Sequence, residues 1–325
     1  MTYKALQIDE IDGKFTRDIK NLPLKDLDTN DILVRVKYSA LNYKDALSSI
    51  GNRGVTREYP HTPGIDGAGI VERSNTQSIK VGDKVIVTSF DLGMNTNGAF
   101  SEYISVPKEW IIPLPETLSL KEAVAIGTAG LSAAIGVDKL ITNGLKMGSK
   151  ILVTGSTGAV GSFGVKLLSH LGFNVVALSS KADKKEFLKS IGAKEVMLVD
   201  ELETHAKRPL LKPNYDGALD VVGGEILENI LKQIAPEGSV AICGLVGSPN
   251  LNTTVFPFIL RGINLLGINS VDLSNEYRNT LWNMLANEWK IDLSNITHEH
   301  NMEDIPRLID EMLNAKSFGR AVIKI

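Results

Sequence analysis

Short β-branched runs set off by glycine and proline open the chain, and their spacing predicts strands at 4–8, 32–40, 68–72, 84–88 and 100–106. Gly82-Asp83 marks a turn before the fourth, and Pro60, Pro63 and Gly64 mark a stiff loop, as do Pro107, Pro113 and Pro115. Short strands punctuated in this way are expected to form a small antiparallel barrel rather than a parallel sheet. From about Ala125 the rhythm changes: apolar runs at 150–154, 175–178, 195–199, 217–222, 239–243 and 264–268 alternate with helical stretches. Six strands in that order predict a doubly wound parallel sheet. The tail predicts an amphipathic helix at 306–314 and a last strand at 320–325, which has no partner in the parallel sheet and is expected to return to the N-terminal domain. The expected division is therefore 1–124 completed by 288–325, and 125–287.

A chain of 325 residues, 43% apolar and 22% charged, suits about two domains, each with its own core. Its net charge of −3 predicts no general attraction to nucleic acid or to an anionic membrane. The N-terminus, MTYKALQIDEIDGK, is broken by charges and has no apolar signal core. The uncharged stretch 123–137 is rich in glycine and alanine and short for a membrane span, so it reads as a buried helix. A cytoplasmic location is expected. One cysteine, Cys243, excludes an intrachain disulfide and a thiolate-rich zinc site, and its strand-like surroundings predict a buried structural thiol. His298 and His300 offer two potential ligands across THEHN, but no cysteine or acid cluster completes a set, and no metal is expected.

The most specific chemistry lies at 151–168, ILVTGSTGAVGSFGVKLL, where an apolar strand passes into a helix through Gly155, Gly158 and Gly161. Such a turn, with Thr157, Ala159 and Val160 between its glycines, lets a diphosphate approach the backbone and face the N–H groups that open the helix. The apolar run NVVAL at 174–178 supplies the next strand and completes a βαβ frame. An NAD site usually places an acid at the end of that strand to hold the ribose 2′-hydroxyl. This chain has Ser179, Ser180 and Lys181 instead, with Lys184 and Lys185 a turn later. Hydroxyl and ammonium groups suit a 2′-phosphate, so NADP(H) is favoured over NAD(H). Asp183 lies too late for the ribose clamp and is explained by a helix dipole.

The segments SALNYKDAL (39–47), PGIDGAGIV (63–71), VGDKVIV (81–87), GTAG (127–130), VTGSTGAVG (153–161), DVVGG (220–224), CGLVGS (243–248), FPFILRGINLLGINSV (256–271) and FGRAVIKI (318–325) resemble the zinc-independent medium-chain dehydrogenase/reductases of the quinone oxidoreductase family. GTAG and FPFILRG are closest to the YhdH/YhfP type, whose characterised members are NADPH-dependent acrylyl-CoA reductases. The resemblance implies an α/β chain with a GroES-like barrel-type catalytic domain and a Rossmann cofactor domain. Where zinc-dependent relatives carry a ligand cysteine followed by x-x-Asp, this chain has Asn42-Tyr43-Lys44-Asp45, and where they carry Gly-His-Glu it has Gly64-Ile65-Asp66. Asparagine and isoleucine supply neither thiolate nor imidazole, so alcohol chemistry that needs a metal is disfavoured. What remains is hydride transfer to the carbon–carbon double bond of an α,β-unsaturated carbonyl, with acrylyl-CoA to propanoyl-CoA leading. A quinone or enal reductase, and a non-catalytic nucleotide-binding sensor, are the rivals.

By the same resemblance, Tyr43 and Asn42 fall beside the nicotinamide. The Tyr43 phenol there either donates to the substrate carbonyl and helps deliver a proton, or serves as an aromatic wall. Asp45 either orients backbone and Lys44 or takes part in catalysis. Thr128 meets the nicotinamide ribose or carboxamide, or caps a helix. Leu245, Asn269 and Ser270 are implied as backbone contacts to nicotinamide, and Arg208 either reaches the adenosine phosphate or is plain surface. Lys44, Arg53, Arg57, Arg261 and Arg320 are the cations available to the phosphates of a coenzyme A thioester. A homodimer is implied, with the strand at 264–268 on an open sheet edge.

Overall fold

The strand β3 (Ile32–Ala40) organises the N-terminal part of the chain because Ile32, Val34 and Val36 alternate onto one buried face. The computed structural model describes residues 1–27, 29–202 and 208–325. Around β3 run β4 (Asp66–Ser74), β5 (Lys84–Thr88), β6 (Tyr103–Val106) and β7 (Ile112–Pro113), all antiparallel to their neighbours. Their inward residues, Val71, Val85, Val87 and Ile104, join the β3 valines in one apolar cluster. The hairpin β1 (Thr2–Ile11) and β2 (Lys14–Pro23) precedes them, turning at Asp12 and Gly13, both at positive φ, 51° and 74°. Asp-Gly is a strong signal for that turn, yet the sequence reading gives no strand at β2, whose charged run KFTRDIKNLP hides its period. The short α1 (Leu24–Leu27) and α2 (Tyr43–Ser48) lie on either side of β3 in sequence.

The second unit is a six-stranded parallel sheet in the order β10-β9-β8-β11-β12-β13. Its strands are β8 (Lys150–Val153), β9 (Asn174–Ser179), β10 (Glu195–Leu198), β11 (Tyr215–Asp220), β12 (Ile234–Ile242) and β13 (Asn264–Gly267). Ile151, Leu152 and Val153 are all wholly buried, as in a sheet covered on both faces. The chain winds outward from β8 in both directions, so the strand order reverses between β8 and β11. α3 (Leu120–Thr142) leads into β8, and the helices α4 (Ala159–His170), α5 (Lys185–Ser190), α6 (Gly224–Leu231) and α7 (Phe256–Arg261) lie between strands of the sheet. In α3, Gly136 packs so close that an added Cβ would lie 2.6 Å from Leu219, which fixes the helix against this sheet. The apolar window of α3 is long enough to cross a membrane, but 83% of it is buried inside the protein, as in a core helix.

After α8 (Asn275–Ala286) come β14 (Thr297–Asn301), α9 (Ile305–Leu313) and β15 (Arg320–Lys324). β15 pairs antiparallel with β3, through Val322↔Ala40 and Ile323↔Ser39, and β14 lies parallel beside it. The sequence reading treats THEHN as a polar segment, but it is an edge strand, with the His298 ring 4.7 Å from that of Phe318. The contacts place Met1–Thr128, Ser274–Ala286 and Thr297–Ile325 in one unit, and Ala129–Leu273 with Asn287–Ile296 in the other. The expected breaks after 124 and 287 are thus displaced. α8 joins the first unit because Arg278 lies 4.3 Å from the Phe90 ring centroid and donates to Thr88 O. The segment after it joins the second, where Lys166 Nζ donates to Asn295 Oδ1 at 2.6 Å.

Candidate active site

In the parallel-sheet unit, the turn after β8 uses its three glycines differently. Gly155 adopts φ 52°, a left-handed conformation that suits glycine. At Gly161 an added Cβ would lie 2.3 Å from Gly155 O, so the helix can start this close to the strand only without a side chain. At Gly158, the N-cap of α4, a Cβ would meet nothing nearer than Gly155 O at 3.4 Å. The protein's own packing does not demand that third glycine, which leaves its open side to a ligand. Thr157 is buried at this turn, and Ala159 and Val160 open α4. Ser156 N donates to Leu178 O at 3.2 Å and ties the turn to the end of β9, where Ser179, Ser180 and Lys181 follow.

Ser179 Oγ accepts from Lys181 N at 3.0 Å, so its hydroxyl shapes the loop. Burial pulls the Lys181 ammonium below the ordinary lysine range, with Asp183 opposing that shift. Lys184 pairs with Asp183 at 3.2 Å and Lys185 with Glu201 at 3.9 Å, both at the surface. Leu245 follows β12 and is 52% exposed. Asn269, after β13, spends its side chain on Asp272 and on the N–H groups of Val271 and Asp272, with Ser270 inside that turn. Arg208 is exposed. The Cys243 thiol is pushed up to about 12 by burial, then by Asp220, which makes it inert at neutral pH.

In the barrel-type unit, three of the residues singled out in the sequence, Asn42, Thr128 and Arg320, converge on Asp66, which was given no role there. Asn42 precedes α2, and its Nδ2 donates to Asp66 Oδ2 at 2.8 Å while its Oδ1 accepts from Arg320 Nη1 at 2.9 Å. Arg320, 1% exposed, also donates to Leu41 O, to Val124 O and to Asp66 Oδ2. Asp66 Oδ1 in turn accepts from Thr128 N at 2.8 Å and from Thr128 Oγ1 at 2.7 Å. This knot sits at a break in α3, where Gly127 takes φ 45° and a Cβ would lie 2.4 Å from Arg320 Nη2. Asp45 accepts from the backbone N–H groups of Asn42, Gly64 and Ile65, at 2.8, 3.0 and 3.0 Å. Burial pushes its carboxyl up to about 7, against the pull of those three donors. Tyr43 is half-buried at the first position of α2.

The same corner holds backbone strain. Ser89 and Phe90 are consecutive non-glycine residues at positive φ, 67° and 53°, and Ser89 Oγ lies 3.4 Å from Thr128 Oγ1. Asn42 and Asp45 thus build the corner with their side chains fully engaged. The phosphate-binding set contracts as well. Arg320 is consumed in the knot, Arg261 donates to Lys232 O, Ile234 O and Leu211 O, and Arg53 pairs with Glu10 at 2.6 Å. Sequence reasoning gives no role to Asp66 and misplaces Arg320, since nothing local links positions so far apart.

A barrel-type sheet with a buried polar corner, and a doubly wound sheet with a glycine turn at its carboxyl edge, define a two-domain oxidoreductase of the nucleotide-dependent kind. Residues 28–116 match the alcohol dehydrogenase GroES-like domain, and residues 159–287 match the zinc-binding dehydrogenase domain. Acrylyl-CoA reductase AcuI of Ruegeria pomeroyi is 39% identical, with 99% of each chain covered. YhfP of Bacillus subtilis, provisionally named a quinone oxidoreductase, is 39% identical, and its crystal structure with NAD bound superposes with a TM-score of 0.96 over 100% of both chains. The YhdH oxidoreductase of Salmonella enterica in complex with NADP is 36% identical, with a TM-score of 0.94 over 99% of both chains. The chain belongs to the quinone oxidoreductase family of medium-chain dehydrogenase/reductases, in its YhdH/YhfP group.

Proposed function

We propose that this protein uses NADPH to reduce the carbon–carbon double bond of an α,β-unsaturated thioester, with acrylyl-CoA to propanoyl-CoA as the reaction. The carrying observation is the buried corner: where zinc-dependent relatives place a thiolate and an imidazole, Asn42 is tied to Arg320 and Ile65 offers no ligand atom. A substrate whose double bond is already polarised by a carbonyl needs no metal to accept hydride. The cofactor supplies the hydride, which goes to the β-carbon; a proton completes the α-carbon.

The residues then divide the work. Gly155, Gly158 and Gly161 with the start of α4 hold the diphosphate, and Ser179, Ser180 and Lys181 hold the 2′-phosphate. Leu245, Asn269 and Ser270 lie at the carboxyl edge of the parallel sheet, the edge where such folds receive nicotinamide. Tyr43 donates its phenol hydrogen to the substrate carbonyl and stabilises the charge that grows there. Arg57 is the better candidate among the cations for the phosphates of coenzyme A, since Arg53, Arg261 and Arg320 have other partners and Lys44 Nζ lies 4.0 Å from Met94 Sδ. The protein acts as a homodimer in the cytoplasm, because β13 ends the parallel sheet and Val255, Phe256, Ile259 and Leu260 beside it are 64, 43, 68 and 62% exposed.

The test follows NADPH oxidation with acrylyl-CoA, crotonyl-CoA, free enals and 1,4-benzoquinone side by side, with NADH as control. Turnover of acrylyl-CoA well above the others is expected. No turnover of either thioester overturns the reading, and benzoquinone reduction alone gives the quinone oxidoreductase reading that the name of YhfP favours.

A further inference from the structure

The two histidines of THEHN serve neither the corner nor the glycine turn, yet they share a cavity. Because Thr297–Asn301 is an extended edge strand, His298 and His300 stand on the same face of it. Both rings line a cavity of about 250 Å³ closed on its other sides by α9 and the 316–319 turn, all of it within the barrel-type unit. Its floor is apolar. Leu41 and Leu308 there are core residues, Met312 and Ala321 pack against them, and the Phe318 ring lies 4.7 Å from that of His298, edge to face at 61°. The rim is charged, and its charges differ in what they have left to offer. Glu311 Oε1 accepts from Arg307 Nη1 at 2.6 Å. Asp304 is held below the ordinary carboxylate range by Asn301 N and Arg307, and to a lesser extent by the charge of His300; those two donors lie at 3.1 and 3.3 Å. Both acids are therefore already paired. Lys316 is the reverse case, an exposed ammonium with no acid partner among the described residues. An imidazole, for its part, keeps an N–H donor whether charged or neutral.

We propose that this cavity is a second small-molecule site and that its ligand is a small carboxylate with an apolar body, an aromatic acid of the size of benzoate. Lys316 and the imidazole N–H groups of His298 and His300 receive the carboxylate, while the ring rests on Leu308, Met312 and Phe318. Size sets the class: at about 30 Å³ per water the space holds on the order of eight waters, or a ligand of about ten non-hydrogen atoms. The edge of Phe318 and the adaptable thioether of Met312 suit a flat ring. A cationic ligand would meet acids that Arg307 already holds. A metal ion is not served either, since no group of three His, Cys, Asp or Glu among the described residues could hold one. Leu41 N donates to Ala321 O at 3.0 Å, so the floor continues the strand that carries Arg320, but no side chain of the buried corner lines the cavity.

The experiment titrates benzoate, benzamide and acetate into the intact protein and follows the ring C–H signals of His298 and His300 by NMR, assigned through His298→Gln and His300→Gln. Benzoate is expected to shift both signals with a Kd on the order of 1 mM or tighter. Benzamide keeps the ring and loses the charge, and acetate keeps the charge and loses the ring; each is expected to bind about tenfold more weakly or worse. Lys316→Gln is expected to weaken benzoate about tenfold, and Lys316→Glu to abolish the shifts. Position 316 is exposed, so both variants are expected to keep the melting temperature of the ligand-free protein. Signals of His298 and His300 that stay in place at about twenty times the expected Kd overturn the assignment. So does benzoate binding that is unmoved in Lys316→Glu, or benzamide binding as tightly as benzoate. Acetate binding as tightly as benzoate also overturns it, because the anion is then held by surface charge alone. None of these readouts uses turnover, so they test the site whatever acceptor the enzyme reduces.

Discussion

Asp66 and Arg320 stand 254 residues apart in the chain and form an ion pair whose side chains are 0% and 1% exposed. A pair at this depth contributes little net stability when intact, because desolvation offsets attraction. Breaking it is a different matter, since one charge is then left buried without a partner. Arg320→Ala also strips donors from Leu41 O, Val124 O and Asn42 Oδ1. It is expected to cost about 3–5 kcal/mol of stability, read as a lowered unfolding midpoint of the barrel-type unit. A loss below about 1 kcal/mol would show that the carboxylate finds other partners.

The glycine turn gives two substitutions with separable effects. Gly161→Ala places a Cβ 2.3 Å from Gly155 O and is expected to lower both the melting temperature and the affinity for NADPH. Gly158→Ala meets only an ordinary contact at 3.4 Å and is expected to keep the melting temperature of the apoprotein. Its Kd for NADPH is nonetheless expected to rise by about tenfold or more, because the backbone there must come close to a diphosphate. Calorimetry and binding on the two variants check this, and unchanged binding in Gly158→Ala would remove the turn from the phosphate site.

Two buried groups give the stability opposite slopes with pH. The Asp45 carboxyl stands near 7 in the folded chain against an ordinary 3.8, so the folded state holds the proton longer and stability falls as pH rises from about 4 to about 7. His61 is pushed down by burial while its Nε2 lies 3.0 Å from Gly93 O, so the unfolded chain takes the proton first. Its contribution is present above about pH 6.5 and lost as pH falls below that value. The stability gap between the intact protein and Asp45→Asn is therefore expected to widen toward acid, and the gap for His61→Gln to widen toward neutral pH. Denaturant titrations at several pH values decide both, and a gap that does not vary with pH refutes the corresponding assignment.

Tyr43→Phe keeps the ring and removes the phenol. If the phenol stabilises charge on the substrate carbonyl, kcat for the thioester is expected to fall by about 10²-fold with KM little changed. Turnover equal to that of the intact protein would leave Tyr43 as an aromatic wall.

The sequence by itself determined whatever depends on neighbours along the chain. The strand at 32–40 and the strand at 84–88 were readable to the residue, because alternation and turn chemistry are local. The glycine turn and the missing acid after Leu178 were readable for the same reason, and together they carry the cofactor reading. Absence of zinc ligands at Asn42 and Ile65 was equally a matter of residue identity. Only the tertiary structure decided that Arg320 lies on Asp66 and Asn42 rather than on a substrate phosphate, since no spacing rule joins the last strand to the fourth. It alone placed α8 with the barrel-type unit, through Arg278 on Phe90, and turned THEHN into an edge strand beside β15. It also paired Lys184 with Asp183 and Lys185 with Glu201. Charges and buried polar groups take their roles from whichever partners packing brings within a few ångströms, and the apolar pattern along a chain records depth, not partners.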